Sequence, residues 1–211
     1  MNTFSAVAMI RAGWEIFKKR PWFFVGAFLV LGIVSGISSS VTKQTGASPN
    51  VLLAIINFVV QTFVYMGMYS VALKAHDNAT GVSFGALWHP QSFLSYFAAS
   101  IVTGIIIVVG FILLIIPGVV ALIVLMFVPY FVIDKGQGPI QAIKSSIATA
   151  KGHWFDLFVL LVLVIAINIL GLIALLIGVL VSAPVSMLAV AHAYRTLSGH
   201  ASTTSSTAAT L

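Results

Sequence analysis

The chain has no cysteine and very little charge. The first absence removes disulfides, thiol nucleophiles and cysteine-ligated metals. The second excludes more. Ten residues are Lys or Arg and four are Asp or Glu, so charged residues make up 7% of the 211; a water-soluble domain carries about 25%. So few charges cannot keep a surface of this size in water. A soluble enzyme, a disordered chain and a secreted disulfide scaffold are therefore excluded. The net charge of +6 is too small and too scattered for a nucleic-acid surface, so no nucleic-acid partner is expected.

Chemical motifs are equally scarce. His76, His89, His153, His192 and His200 have no metal-ligand spacing, and no Gly-rich loop with a Lys is present to hold phosphate. The string Gly81-Val82-Ser83-Phe84-Gly85 has the letters of a nucleophile elbow. That elbow needs a preceding strand and a later acid–His pair, which a helical bundle does not supply, and a helix cap explains Ser83 better. No cofactor, metal or catalytic residue is expected, and the protein reads as a non-enzyme.

What the chain does have is long apolar runs in 60% hydrophobic sequence. A helix needs about 20 mostly apolar residues to cross a bilayer. Two runs, 22–39 and 51–73, fit directly. A third stretch, from Phe93 to Ile133, would measure roughly 60 Å as one straight helix, about twice the hydrocarbon thickness. It must fold back, and Pro117-Gly118 is the natural turn. The stretch from Trp154 to Tyr194 is as long. Its turn is placed at Gly171 in preference to Gly178–Ser182, leaving a final helix kinked at Pro184. The expectation is an all-α integral membrane protein with six transmembrane helices as three hairpins, at about 22–39, 51–73, 93–116, 118–133, 154–170 and 172–194.

Charge orients this bundle. With the N-terminus inside, Arg11, Lys18, Lys19, Arg20, Lys74, Lys135, Lys144, Lys151 and Arg195 all lie inside and Lys43 alone lies outside. That obeys the positive-inside bias and predicts a bacterial cytoplasmic-membrane protein with both termini cytoplasmic. A cleaved signal peptide ending in the small residues Ser35–Ser40 is the rival reading of the N-terminus.

Each hairpin is expected to follow an interfacial amphipathic helix. In residues 3–19, Phe4, Val7, Ile10, Trp14 and Phe17 form one stripe, and Arg11, Glu15 and Lys19 another. A second helix starts at Pro139, with Ile140, Ile143, Ile147, Ala150 and Trp154 as its stripe. A stub, Ser83–Trp88, precedes the third run. Such helices either lie at the headgroups or pack under the bundle. The lead-ins Lys19-Arg20-Pro21-Trp22-Phe23, Trp88-His89-Pro90-Gln91-Ser92-Phe93 and Lys151-Gly152-His153-Trp154-Phe155 suggest three copies of one unit. Residues 1–21 read as the N-terminal interfacial helix, 22–197 as the membrane domain, and 198–211 as a mobile cytoplasmic tail.

Two sets of candidate residues follow. Lys18, Lys19, Arg20, Lys144, Lys151 and Arg195 form a basic rim suited to lipid headgroups. Asn57, Gln61 and Asn168 are polar groups inside the apolar runs, serving either as interhelical hydrogen-bonding glue or as a polar path; His192, an intramembrane polar group near the inner end of the last run, either occupies the interface or senses pH or binds a lipid phosphate with Arg195. Asp134 and Asp156 are expected at the inner interface, paired with Lys135 or Lys151. Partners are membrane lipids, and another membrane protein or a second copy of this chain.

The strings Pro117-Gly118-Val119, Val128-Pro129-Tyr130-Phe131-Val132-Ile133-Asp134, Gly138-Pro139-Ile140-Gln141-Ala142-Ile143-Lys144-Ser145-Ser146 and Lys151-Gly152-His153-Trp154, with Pro184 and Tyr194-Arg195, resemble a bacterial inner-membrane family. That family is related to the membrane domain of glycerophosphoryl diester phosphodiesterases. The resemblance covers about 105–197. It implies a six-helix architecture and a link to envelope or lipid biology, and no catalytic residue, since the phosphodiesterase chemistry belongs to a separate soluble domain. The expected function is a non-enzymatic structural, lipid-interacting or partner-subunit role. The alternative is a small-solute transporter or channel with a path near Asn57, Gln61 and Asn168.

Overall fold

In a computed structural model the described residues are 5–44, 51–78, 81–82, 85 and 92–208, without the side chains of 41–44, 175–177 and 200–208. The expectations for Phe4, Ser83, Trp88, His89 and the Trp88–Gln91 lead-in, and for the Lys43 and His200 side chains, lie outside the described residues. The described elements are all α-helical: α1 (Ala6–Lys19), α2 (Pro21–Gln44), α3 (Val51–Asp77), α4 (Phe93–Leu113), α5 (Ile115–Leu125), α6 (Val128–Lys135), α7 (Pro139–Ala150), α8 (Trp154–Ile173) and α9 (Leu175–Ala208).

Among the described residues five stretches are long and apolar enough to cross a membrane: Pro21–Ser40, Val51–Asp77, Phe93–Leu113, Ile115–Lys135 and Trp154–Ile173; the sixth expected span, 172–194, is not among them. No more than 22% of the most apolar window is buried in four of them, against 56% in Ile115–Lys135. The α5–α6 stretch is thus the centre of the bundle. Around it α2, α3, α4 and α8 turn faces such as Ile33, Ile37, Ile55, Ile105 and Ile165 outward. A water-soluble monomer does not expose contiguous apolar surface on that scale.

The contacts pair α2 with α3, α4 with α5, and α8 with α9. The first fold-back lies one step earlier than expected. Leu114, not Pro117-Gly118, is the extended residue between α4 and α5. Pro117 falls in the first turn of α5, where its missing N–H has no intrahelical partner to lose. Gly118 instead allows close approach: a Cβ on Gly110 would lie 3.1 Å from the Gly118 Cα. The last fold-back is at Ala174, where Gly171 was expected. Gly171 is again a contact residue, bare against Ser182 and Gly178.

The expected span 118–133 is broken at Met126–Phe127. Pro129 cannot donate to the turn before it. The exposed backbone groups are taken by α7: the Ser146 hydroxyl donates to Val124 O and accepts from Phe127 N at 3.3 Å. Gly136 then ends α6 in the left-handed conformation (φ 60°), which favours glycine. At the far end α9 continues to Ala208, through most of the segment read as a tail, with Pro184 buried inside it.

The expected stripes of α1 and α7 are divided: Phe17 and Ala150 are buried and Ile10 and Ile143 pack against the core, but the rest of each described stripe faces outward. In α1 the buried side is Ala6, Met9, Gly13, Ile16 and Phe17, while Val7 and Trp14 are exposed. In α7 it is Ala142, Ser146, Thr149 and Ala150, while Ile140 and Ile147 are exposed. Small residues let helix backbones approach closely; in α7 the small side takes the protein contact, and in α1 Gly13 makes room for it among Met9, Ile16 and Phe17. Gly13 lies directly on α9, where a Cβ would sit 2.7 Å from Val185 O and 2.8 Å from Ala189 N.

The two helices match position for position. Met9, Gly13, Ile16 and Phe17 have the spacing of Ala142, Ser146, Thr149 and Ala150, and all eight are buried. The helices that follow continue the match, and α4 joins it. Trp22, Leu94 and Phe155 are exposed, while Phe24 and Ala27, Tyr96 and Ala99, and Leu157 and Leu160 are buried at the same steps. Burial thus repeats over the three helices that follow the lead-ins, as the idea of a threefold unit requires.

Candidate functional site

Three features of this bundle could carry function: a basic stripe on each short amphipathic helix, a polar cluster joining the ends of two helices to α9, and a central cavity. The stripes come first. Val7, Arg11, Trp14 and Lys18 stand at i, i+4, i+7 and i+11, on one face of α1. Ile140, Lys144, Ile147 and Lys151 stand at the same spacing along α7. All eight are exposed. Apolar and basic side chains alternate along each, which is the make-up of a helix seated between acyl chains and headgroups.

The six rim candidates separate in the structure. Lys19, Lys144 and Lys151 are exposed. Lys18 is exposed and meets Glu15 at 2.8 Å within its own helix. Arg20 is turned inward: its Nη1 donates to Val82 O at 2.9 Å and its guanidinium stacks 5.0 Å from the Phe23 ring. It fastens the α1–α2 corner to the segment after α3. Arg195 is also held by protein.

Arg195 is the hub of the polar cluster. Its Nη1 donates to Asp134 at 2.9 Å and its Nη2 to Asp77 Oδ2 at 2.6 Å. The Tyr194 hydroxyl donates to Asp134 Oδ2 at 2.8 Å. Beside it, His76 Nε2 lies 2.7 Å from His192 Nδ1, and His76 Nδ1 lies 3.5 Å from Asp77 Oδ1. The cluster ties the ends of α3 and α6 to α9. Asp134 was expected to pair with Lys135, but a carboxylate beside a lysine in sequence cannot share its helix face. Lys135 stacks over the Phe131 ring at 5.2 Å instead. Chain separation hid the His76–His192 contact from sequence spacing. Among the described residues no group of three or more His, Cys, Asp or Glu could hold a metal ion.

The intramembrane polar residues have partners within their own helix pairs. Gln61 accepts from Ser35 at 2.6 Å and donates to Ser35 O at 3.2 Å, and Asn57 accepts from Ser38 at 2.8 Å. Asn168 donates to Val164 O at 2.8 Å and to Ser186 at 2.7 Å, and accepts from Ser182 at 3.2 Å. The first set lies between α2 and α3 and the second between α8 and α9. The structure does not bring them together. The central cavity, about 530 Å³ in volume, lies instead against α3, α4, α5, α6, α8 and α9.

These features define a membrane-type helical bundle: all-α in its described residues, with five stretches apolar enough to span a bilayer. Residues 77–210 match the family described as a domain of unknown function (DUF7847), and the chain belongs to that family. The match starts at the end of α3, so the first amphipathic helix and helix pair lie outside it. The chain is also 25% identical over 186 residues to uncharacterised proteins of Mycobacterium bovis and Mycobacterium tuberculosis. The alignment takes in 82% of this chain and 57% of theirs, so the chain spans little more than half the length of these relatives. No solved structure matches. The comparisons bring no link to the phosphodiesterases.

Proposed function

We propose that this chain is a non-enzymatic, multi-pass protein of the bacterial cytoplasmic membrane that holds anionic lipid headgroups at its inner face. On this reading six spans form three hairpins, and both termini are cytoplasmic. The short helices α1 and α7 lie at the inner interface. The observation that carries the reading is the pair of matched stripes, Val7-Arg11-Trp14-Lys18 and Ile140-Lys144-Ile147-Lys151, all exposed. Such a surface suits neither water, because of Trp14 and the isoleucines, nor the bilayer centre, because of the lysines. It suits the boundary. The resemblance of 105–197 to the membrane domain of glycerophosphoryl diester phosphodiesterases points the same way, towards lipid or envelope biology, and supplies no catalytic residue. A partner subunit, or a second copy of this chain, would meet the same inner face.

Each basic residue at an anionic surface contributes about 1 kcal/mol. Losing Lys144 and Lys151 should therefore weaken phosphatidylglycerol binding ~30-fold, and the reversal Lys144→Glu with Lys151→Glu should weaken it further. Native mass spectrometry of the purified protein with phosphatidylglycerol reads this directly. Unchanged lipid retention in the double variant would defeat the proposal. A transport path along Asn57, Gln61 and Asn168 gains no support, because these groups bond within separate helix pairs.

A further inference from the structure

We infer that the central cavity is a binding site for one fatty-acyl chain, with an uncharged ester or hydroxyl oxygen at its tyrosine end. The cavity measures about 530 Å³ and no charged side chain lines it. Pockets of a few hundred Å³ with mostly apolar walls and a few convergent polar groups are the usual form of a small-molecule site. At ~30 Å³ for a water-sized group, this one takes roughly 18 of them, the scale of a long acyl chain.

Three tyrosines gather at one end, where the Tyr130 hydroxyl already donates to Met187 O at 3.2 Å and Tyr69 and Tyr96 stand beside it. Tyr69, Tyr96 and Tyr130 pack ring to ring, at 6.3 Å for Tyr69–Tyr96 and 5.1 Å for Tyr69–Tyr130. Tyr130 lies one turn before Asp134 on α6, so this is the end nearest the Arg195 cluster. The other walls are Ile107, Leu122, Leu161 and Val164. Along α4 the lining runs from Tyr96 to Ile107. At ~1.5 Å per residue that is roughly 17 Å, close to the ~15 Å depth of one leaflet. A charged headgroup finds no partner inside, whereas an ester carbonyl or a hydroxyl meets phenol groups.

Two observations show that the helices have not closed on this space. A Cβ on Gly104, which lines the wall, would meet nothing within 4 Å. The Thr103 hydroxyl beside it is buried and has no hydrogen-bond partner among the described residues. Tyr65 also lines the cavity and is 51% exposed. The cavity therefore opens sideways at α3, on a surface whose neighbours are apolar. The natural source of an occupant on that side is the membrane itself.

The inference rests on the membrane placement of the bundle but not on the basic rim, so charge reversal at Lys144 and Lys151 tests one and the following experiment the other. The full chain is placed in lipid nanodiscs with a phosphatidylglycerol carrying a mid-chain diazirine, irradiated, and mapped by peptide mass spectrometry. A second arm uses a diazirine fatty alcohol. Adducts are expected on cavity residues such as Ile107 and Leu122, and on outward residues such as Ile33 and Ile37. Gly104→Leu, whose Cβ meets nothing within 4 Å, adds bulk at the cavity wall and should cut cavity labelling at least tenfold, leaving the outward labels unchanged. Tyr69→Phe keeps the shape, removes a hydroxyl and should weaken cavity labelling by the fatty alcohol several-fold. The two arms separate a phospholipid-borne chain from a free one. Adducts confined to outward faces in both arms, or cavity labelling that Gly104→Leu leaves intact, would overturn the inference.

Discussion

Gly13→Ala tests the seating of α1 most sharply. Alanine is worth about 1 kcal/mol over glycine within a helix, so substitution at an open helical glycine should stabilise. Gly26 on α2 is such a position, with nothing within 4 Å of an added methyl, and serves as the control. At Gly13 the same methyl would lie 2.7 Å from Val185 O, 2.8 Å from Ala189 N and 3.2 Å from Ala189 Cα. All three are backbone atoms of α9, and a helix backbone cannot turn aside as a side chain can. Overpacking of this kind costs ~1–3 kcal/mol. The helix-propensity gain acts at both sites, so Gly13→Ala should fall about 2 kcal/mol below Gly26→Ala. Trp14 is the reporter, since its ring stacks on Phe17 at 5.6 Å. With Trp22, Trp88 and Trp154 replaced by Phe, titration with sodium dodecyl sulfate in mixed micelles follows α1 through Trp14 fluorescence. If Gly13→Ala is as stable as Gly26→Ala, α1 is not seated on α9 and the assignment of its outward stripe fails with it.

Other perturbations probe the remaining contacts. Ser146→Ala leaves Phe127 N and Val124 O unpaired at the α5–α6 break and should cost about 1–3 kcal/mol in the same titration, whereas Ser145→Ala, on the half-buried neighbour, should cost little. Asn168→Leu removes bonds to Ser182 and Ser186 and should cost ~0.6–2 kcal/mol; a larger loss would assign Asn168 more than register. Arg195→Met strands Asp134, only 18% exposed, and should cost about 2–3 kcal/mol, with Asp134→Asn restoring part of it in the double variant. The His76–His192 contact, 2.7 Å between ring nitrogens, has room for one hydrogen. His192→Leu removes that hydrogen bond and should cost about 1 kcal/mol in the same titration.

Much of the bundle was legible in the sequence because its solvent is apolar. Fourteen scattered charges and runs of apolar residues placed the starts of the long helices to within about three residues, but not the break in 118–133 or the far end of α9. The fold-backs were less legible. Pro117-Gly118 and Gly171 are turn residues by habit, yet here they serve packing: a proline is harmless in a first turn, and a bare glycine admits a neighbouring helix. The faces of α1 and α7 misled for a related reason. In water the large apolar side faces the protein. Beside lipid part of it can face outward, as Val7, Trp14, Ile140 and Ile147 do, and in α7 the small side is left to pack.

The sequence by itself pointed to an apolar medium and to five of the six expected apolar runs. These depend on composition and on periods of a few residues, which local physics reads without a partner. Tertiary structure decided which basic residues stay exposed, and turned Arg20 and Arg195 inward to Val82 and to two carboxylates. It also brought His76 to His192 and left a space beside Gly104. Those outcomes depend on how helices far apart in the chain meet, and on where small residues let them close and where they do not.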